Sequence, residues 1–200
     1  MWDEIKREGK HIAAPPGFDK YIDFEGGALC VRQFTNQWVP GLLQTPDYAR
    51  AVLELSESAG GVEERLAARI ERQGIFDREP PARMVAVLDE AVLRRPLGGA
   101  KVIREQLEWL VHLSATRRHI SVCVLPFTAM TAGADDGSFT ILTLPSGLDI
   151  GYHEGPEISQ VIEEPAVVAE YSVRWDLVMS EAMSRSESHK FILRAAEDYT

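Results

Sequence analysis

The chain has little from which to build a covalent or metal framework. Only 2 cysteines occur in 200 residues, Cys30 and Cys123, far apart and each inside an apolar stretch. Buried, reduced thiols have this character, so neither a disulfide nor a thiolate metal site is expected. The 5 histidines show no zinc-ligand spacing: His112 and His119 flank a helix end, His11 lies near the N-terminus and His189 in the last helix. No apolar run approaches the roughly 20 residues that cross a bilayer. The opening Met1-Trp2-Asp3-Glu4-Ile5 lacks the basic flank and apolar core of an export signal. A soluble, cytoplasmic protein with no membrane partner is expected. Positive charge is short as well, with 21 basic residues against 31 acidic ones and a net charge of −10. A duplex binder needs a basic face that displaces counterions, so direct nucleic-acid binding by this chain is not expected. The pairs Arg94-Arg95 and Arg117-Arg118 read as solvated surface or helix-end residues. No phosphate-cradling glycine loop and no Gly-x-Ser-x-Gly elbow is present, which leaves nucleotide binding and serine hydrolysis without support, and no cofactor is implied.

What remains is an ordinary globular composition, 45% hydrophobic and 26% charged. A chain this long buries about 70% of the surface it exposes when unfolded, enough for one compact domain without a staple. Residues 1–17, ending in Ala13-Ala14-Pro15-Pro16-Gly17, read as an N-terminal arm or linker, because paired prolines stop a helix. Residues 18–200 read as a single domain. Its first elements are a short helix from Phe18 and a strand through Val31 to Phe34. Thr45-Pro46 starts a helix through Tyr48, Val52 and Leu53. Ser56 to Gly61 form a break, and Val62 opens a second helix carrying Glu63 and Glu64 in its first turn.

Met84 to Glu90 and Ile120 to Leu125 are apolar enough to be strands covered on both faces. The helix joining them, with Val102, Ile103, Gln106, Leu107, Leu110 and Leu113 at helical spacing, implies a parallel crossover. Phe139 to Leu144 and Ile150 to Glu154, split by Pro145-Ser146-Gly147, form a hairpin. Ser159 to Ile162 is a short strand, Ala166 to Met183 a long helix, and Ser188 to about Ala196 a last one. The expected fold is therefore mixed α/β (α+β): a mixed sheet with a parallel βαβ core and an antiparallel hairpin, helices packed on its faces. A ligand would then sit beyond the carboxyl ends of the parallel strands, with Glu90, Pro126 and the 128–137 loop at the mouth.

The most informative string is Pro40-Gly41-Leu42-Leu43-Gln44-Thr45-Pro46-Asp47-Tyr48-Ala49-Arg50-Ala51: a turn, two apolar anchors and a capped helix start. Nothing in it requires catalysis; its functional reading is that Gln44 and Arg50 border a pocket. Trp38, just before the turn, is a second pocket candidate, with Gln37 and Gln44 to supply polar contacts. Trp109 and Trp175 fall in amphipathic helices and read as core or interface residues. Asp89 and Glu90 are adjacent, so as strand residues they point to opposite faces and are no carboxylate pair. An acid/base group is conceivable only if Glu90 and the His153-Glu154 pair lie on neighbouring strands.

The Pro40 to Ala51 string resembles the signature of a domain of unknown function that follows the helix-turn-helix in XRE-type transcription regulators of actinobacteria, some described as antitoxin-like. Further matches follow in the same order: Arg65, Arg69, Arg72 and Gln73, then Leu88-Asp89-Glu90-Ala91-Val92-Leu93-Arg94-Arg95, Gly98-Gly99, Gln106-Leu107, Val124-Leu125-Pro126 and Gly137-Ser138-Phe139. The similarity covers about residues 18 to 195. It departs from the pattern in two places: the region before Phe18 is too short for a helix-turn-helix, and His153 stands in Tyr152-His153-Glu154 where relatives tend to carry an apolar residue.

The resemblance implies a sensory or effector domain that binds a small-molecule effector or a small partner protein and acts on a DNA-binding unit. A homodimer is also expected, from the exposed-looking apolar positions of the long helix from Ala166 to Met183 and the prevalence of symmetric dimers among regulators. Trp38, Gln44, Arg50, Arg72, Glu90 and His153 are the candidate ligand-binding residues. The alternatives are an enzyme derived from such a domain and working in natural-product biosynthesis, with His153, Glu154 and Glu90 as its acid/base residues, and a pure antitoxin-like protein-interaction module.

Overall fold

The computed structural model describes residues 17–55, 61–154 and 159–199. The arm up to residue 16 and most of the break between the second and third helices lie outside them. The first half of the chain runs α1 (Phe18–Gly27), β1 (Cys30–Thr35), α2 (Pro46–Glu54), α3 (Val62–Glu71), β2 (Arg83–Asp89) and α4 (Glu90–Arg94). The second half runs α5 (Ala100–Thr116), β3 (Ile120–Leu125), β4 (Phe139–Thr143), β5 (Asp149–Glu154), β6 (Ser159–Ile162), α6 (Pro165–Glu181) and α7 (Arg185–Glu197).

The strands form one six-stranded mixed sheet in the order β3-β2-β1-β4-β5-β6. β1 and β3 both run parallel to β2, with Phe34 beside Val87 and Val87 beside Cys123. On its other side β1 is antiparallel to β4, and β4, β5 and β6 continue antiparallel. The expected parallel pair and hairpin are both present.

Side-chain alternation divides the core. Val31, Met84, Ala86, Leu88, Val122, Leu142 and Tyr152 face the larger cluster, where α1, α5 and α7 pack. Phe34, Val87, Cys123, Phe139 and Ile141 face the other way and are covered by Trp175 and Val178 of α6. A satellite cluster of Ala49, Leu53 and Leu66 holds α2 to α3. Trp175 is buried as expected, and Trp109 packs partly buried against the larger cluster. Cys123 is buried and Cys30 half-buried, both as free thiols, and burial raises the pKa of each. No helix among the described residues is long and apolar enough to cross a membrane.

Several local signals account for the element ends. Thr45 Oγ1 accepts the Tyr48 N–H at 3.3 Å, with Pro46 in the first turn of α2. Ser184 and Glu187 close a capping box, so α7 begins at Arg185 rather than near Ser188. β2 ends earlier than the sequence implied. Asp89 caps the next helix by accepting the Ala91 N–H at 2.8 Å, and Glu90 is the first residue of α4, not the last of a strand.

Candidate functional site

The string from Pro40 to Thr45 is a 3₁₀ turn, Gly41–Leu43, that drops Leu42 and Leu43 into the core. A turn buried this deeply must satisfy its backbone groups locally, and three glutamines do so. Gln44, 2% exposed, donates from Nε2 to the Val39 carbonyl at 2.7 Å. Gln73 donates to the Gln44 carbonyl at 2.8 Å and the Gly41 carbonyl at 3.3 Å. Gln106, fully buried in α5, accepts the Thr45 N–H at 2.7 Å and donates to the Leu43 carbonyl at 2.9 Å.

The remaining acceptor of Gln44 reaches a more reactive neighbourhood. Its Oε1 accepts from the Arg69 guanidinium at 3.0 Å. Arg65, Arg69 and Arg72 recur at i, i+4 and i+7, which places them along one side of α3 and onto the turn that follows it. Arg72 makes a two-pronged bond to Glu25 of α1, at 2.7 and 2.9 Å, and its guanidinium lies 5.4 Å from the Phe18 ring centre. Glu25 also accepts from the Tyr21 hydroxyl at 2.6 Å, and Tyr21 stacks on Tyr152 of β5 at 3.9 Å between ring centres. The seam between α1, α3 and the inner face of β5 thus gathers three cations, two carboxylates (Glu25 and Glu154) and two phenols in a molecule of net charge −10.

The electrostatics of this seam differ from one arginine to the next. Burial works against the Arg72 cation, but Glu25 more than reverses the effect and its pKa is raised. Among the described residues Arg69 has no such partner. Burial, followed by the like charge of Arg72, lowers it to about 10, with Glu154 opposing and Arg65 adding to the shift. Burial also lifts Tyr21 and Tyr152 well above the ordinary phenol range. A cleft of about 310 Å³ opens beside the seam between α1 and the end of α3, walled by Glu25, Ala68, Glu71, Arg72 and Arg78. A second hollow, about 540 Å³, lies along α7 at Met183, Glu187 and Lys190. Neither is walled by Glu90, Pro126 or the 128–137 loop.

The residues singled out from sequence therefore do not form one group. Gln44 and Arg72 belong to the seam. Arg50 is on α2 and pairs at the surface with Glu63 of α3. Trp38 is covered by the Arg95 guanidinium, 5.5 Å from its ring centre. Glu90 pairs with Arg94 and accepts the Phe127 N–H at 3.1 Å, tying the start of the 126–138 loop to α4. His153 sits opposite Phe139 on the outer face of β5, whereas Tyr152 and Glu154 face the inner side.

The condition attached to an acid/base group is not met. β1 and β4 stand between β2, which leads into Glu90, and β5, three strand spacings or about 14 Å apart, and His153 and Glu154 point to opposite faces. Tyr21, Glu25, Arg69 and Tyr152 were not among the candidates. The spacing of the arginines on α3 and the Tyr21/Glu25 i,i+4 pair were visible signals; the approach of β5 to both helices was not. Among the described residues no group of three or more histidine, cysteine or acidic side chains is placed to hold a metal ion.

Residues 18–194 match the family model described as a domain of unknown function, DUF5753. No curated protein and no solved structure matches the chain.

Proposed function

Since this chain belongs to the DUF5753 family, we propose that it is the sensory or effector domain of a helix-turn-helix transcription regulator of the XRE type found in actinobacteria. In this reading it binds a small molecule or a small partner protein and biases a DNA-binding unit, attached or separate. The observation that supports the binding role most is the α1/α3/β5 seam. Polar and charged side chains from three elements converge there beside an open cleft. Such an effector changes the regulator only by binding its two states with different affinity.

The likeness of the Pro40 to Ala51 string to the domain that follows a helix-turn-helix supplies the DNA-binding half of the proposal. The acidic surface fits a chain that reaches DNA through another unit. Chromatin immunoprecipitation of the native protein from its host is the test. Enrichment of discrete promoter fragments is the expected outcome, and recovery no better than a mock precipitation would remove the regulator reading. A homodimer through α6 belongs to the same proposal, supported by Val173 and Leu177, which are 59% and 43% exposed on that helix. Light scattering is expected to give twice the monomer mass, and a monomer at high concentration would exclude it.

A further inference from the structure

We infer that the seam is a receptor for a single oxyanion, a carboxylate or a phosphate, and that Arg69 is the residue that binds it. This deepens the effector reading above and rests on it. A guanidinium carries five N–H donors in a planar fork. Among the described residues the only hydrogen bond of Arg69 is the one to the neutral Gln44 Oε1 at 3.0 Å. Its neighbour Arg72 is already matched by Glu25 through two bonds, at 2.7 and 2.9 Å. Glu154 is near enough to act on the charge of Arg69 but, among the described residues, accepts no hydrogen bond from it, its Oε2 lying 3.5 Å from the Tyr152 hydroxyl.

A half-buried cation beside two like charges, with most of its donors turned to no acid among the described residues, is costly to maintain. An oxyanion with two adjacent acceptor oxygens completes the fork, and charge-assisted bonds of that kind are about twice as strong as neutral ones. The position is reachable, because Arg69 is half-buried and not sealed in the core. Its aliphatic stem lies across Gly41, where a Cβ would come within 3.9 Å. Gln44 holds the guanidinium in place and is itself fixed to the Val39 carbonyl, so Gln44 is a positioning residue and the oxyanion contact belongs to Arg69.

The test is thermal unfolding of the full chain titrated with inorganic phosphate in one arm and acetate in the other, each against sodium chloride at matched ionic strength. At about five times Kd, a saturable rise in Tm of about 3 °C is expected in at least one arm, and the arm that responds identifies the oxyanion. Arg69→Gln is expected to weaken the response about tenfold or more, while Arg50→Gln, at the surface pair with Glu63, leaves it unchanged. Should Arg69→Gln fail to fold, the Nε–Hε resonance of Arg69 in the unaltered chain is to be followed through the same titrations, where it is expected to shift. Equal stabilisation by chloride, an unaltered response in Arg69→Gln, or a resonance that stays in place overturns the inference. Any of these leaves the effector reading standing for a neutral ligand or a protein, since the chromatin experiment tests that reading separately.

Discussion

The two arginines closest to the seam illustrate how differently one residue type can behave a single turn apart. The Arg72–Glu25 pair is largely withdrawn from water, with side chains 14% and 2% exposed. Removing the charge of one partner leaves the other buried and alone, so Glu25→Gln is expected to lower stability by about 3 kcal/mol or more, read from the urea midpoint. The exposed Arg50–Glu63 pair serves as a control: screened by solvent, its loss in Arg50→Gln is expected to leave that midpoint where it was.

The buried phenols set a second expectation at this scale. Burial raises Tyr21 and Tyr152, and lifts Tyr48 to about 12 from an ordinary 10. Between those values the folded chain holds protons that the unfolded chain has released, so their stabilisation is complete below pH 10 and is lost as pH climbs through the folded values. Arg69, lowered to about 10 from 12.5, has the opposite sign: the unfolded chain binds the extra proton, and stability from this group rises over that window. Three tyrosines outweigh one arginine, and net alkaline destabilisation above pH 10 follows. Tyrosinate absorbance should appear together with unfolding; a simple titration of all 5 tyrosines near pH 10 in the folded state would contradict this.

Among the elements, the joints are polar and the fillings apolar. Gln106 joins the 3₁₀ turn to α5 through one bond in each direction. Gln106→Leu keeps the volume but strands the Thr45 N–H and the Leu43 carbonyl, and is expected to cost about 3 kcal/mol by chemical denaturation. A similar joint covers the edge strand β3. The Val124 N–H donates to Ser188 Oγ at 2.9 Å, and the Val124 carbonyl accepts from the Met183 N–H at 2.8 Å. That arrangement occupies a ladder position on which another strand would otherwise pair.

Periodicity made most of this level legible. The Pro46 and Val62 helices, the βαβ unit through α5 and the 139–154 hairpin were readable because each side-chain pattern reports which face is buried. The boundary at Asp89-Glu90 was misread, because an Asp ending an apolar run is both a plausible strand residue and a good helix cap. The start of α7 was set too late, although Ser184 and Glu187 carry the capping-box spacing. For the site, Gln44 and Arg72 entered the candidates through their motifs, whereas Arg69, in the same motif as Arg72, did not. What distinguishes them is the approach of Glu25 to one and not the other, which depends on how α1 lies across α3.

Across the whole molecule, net charge decides one further outcome. With 31 acidic against 21 basic residues, the isolated chain is expected to leave duplex DNA unshifted in a gel assay at physiological salt. A complex that weakens steeply with added salt would show a basic face that the balance of charge conceals. The sheet order has a consequence for how the protein is made. β1 is the first strand in the sequence but lies inside the sheet, paired to residues 83–88 on one side and 139–143 on the other. At a synthesis rate of about 10 residues per second, its β4-facing edge waits about ten seconds for its partner to leave the ribosome. For that interval the nascent chain carries an open strand bearing Val31 and Phe34, the pattern that aggregates when chains crowd. Demand for chaperone protection during synthesis is therefore fixed by the position of β4 in the gene, and not by the stability of the finished domain.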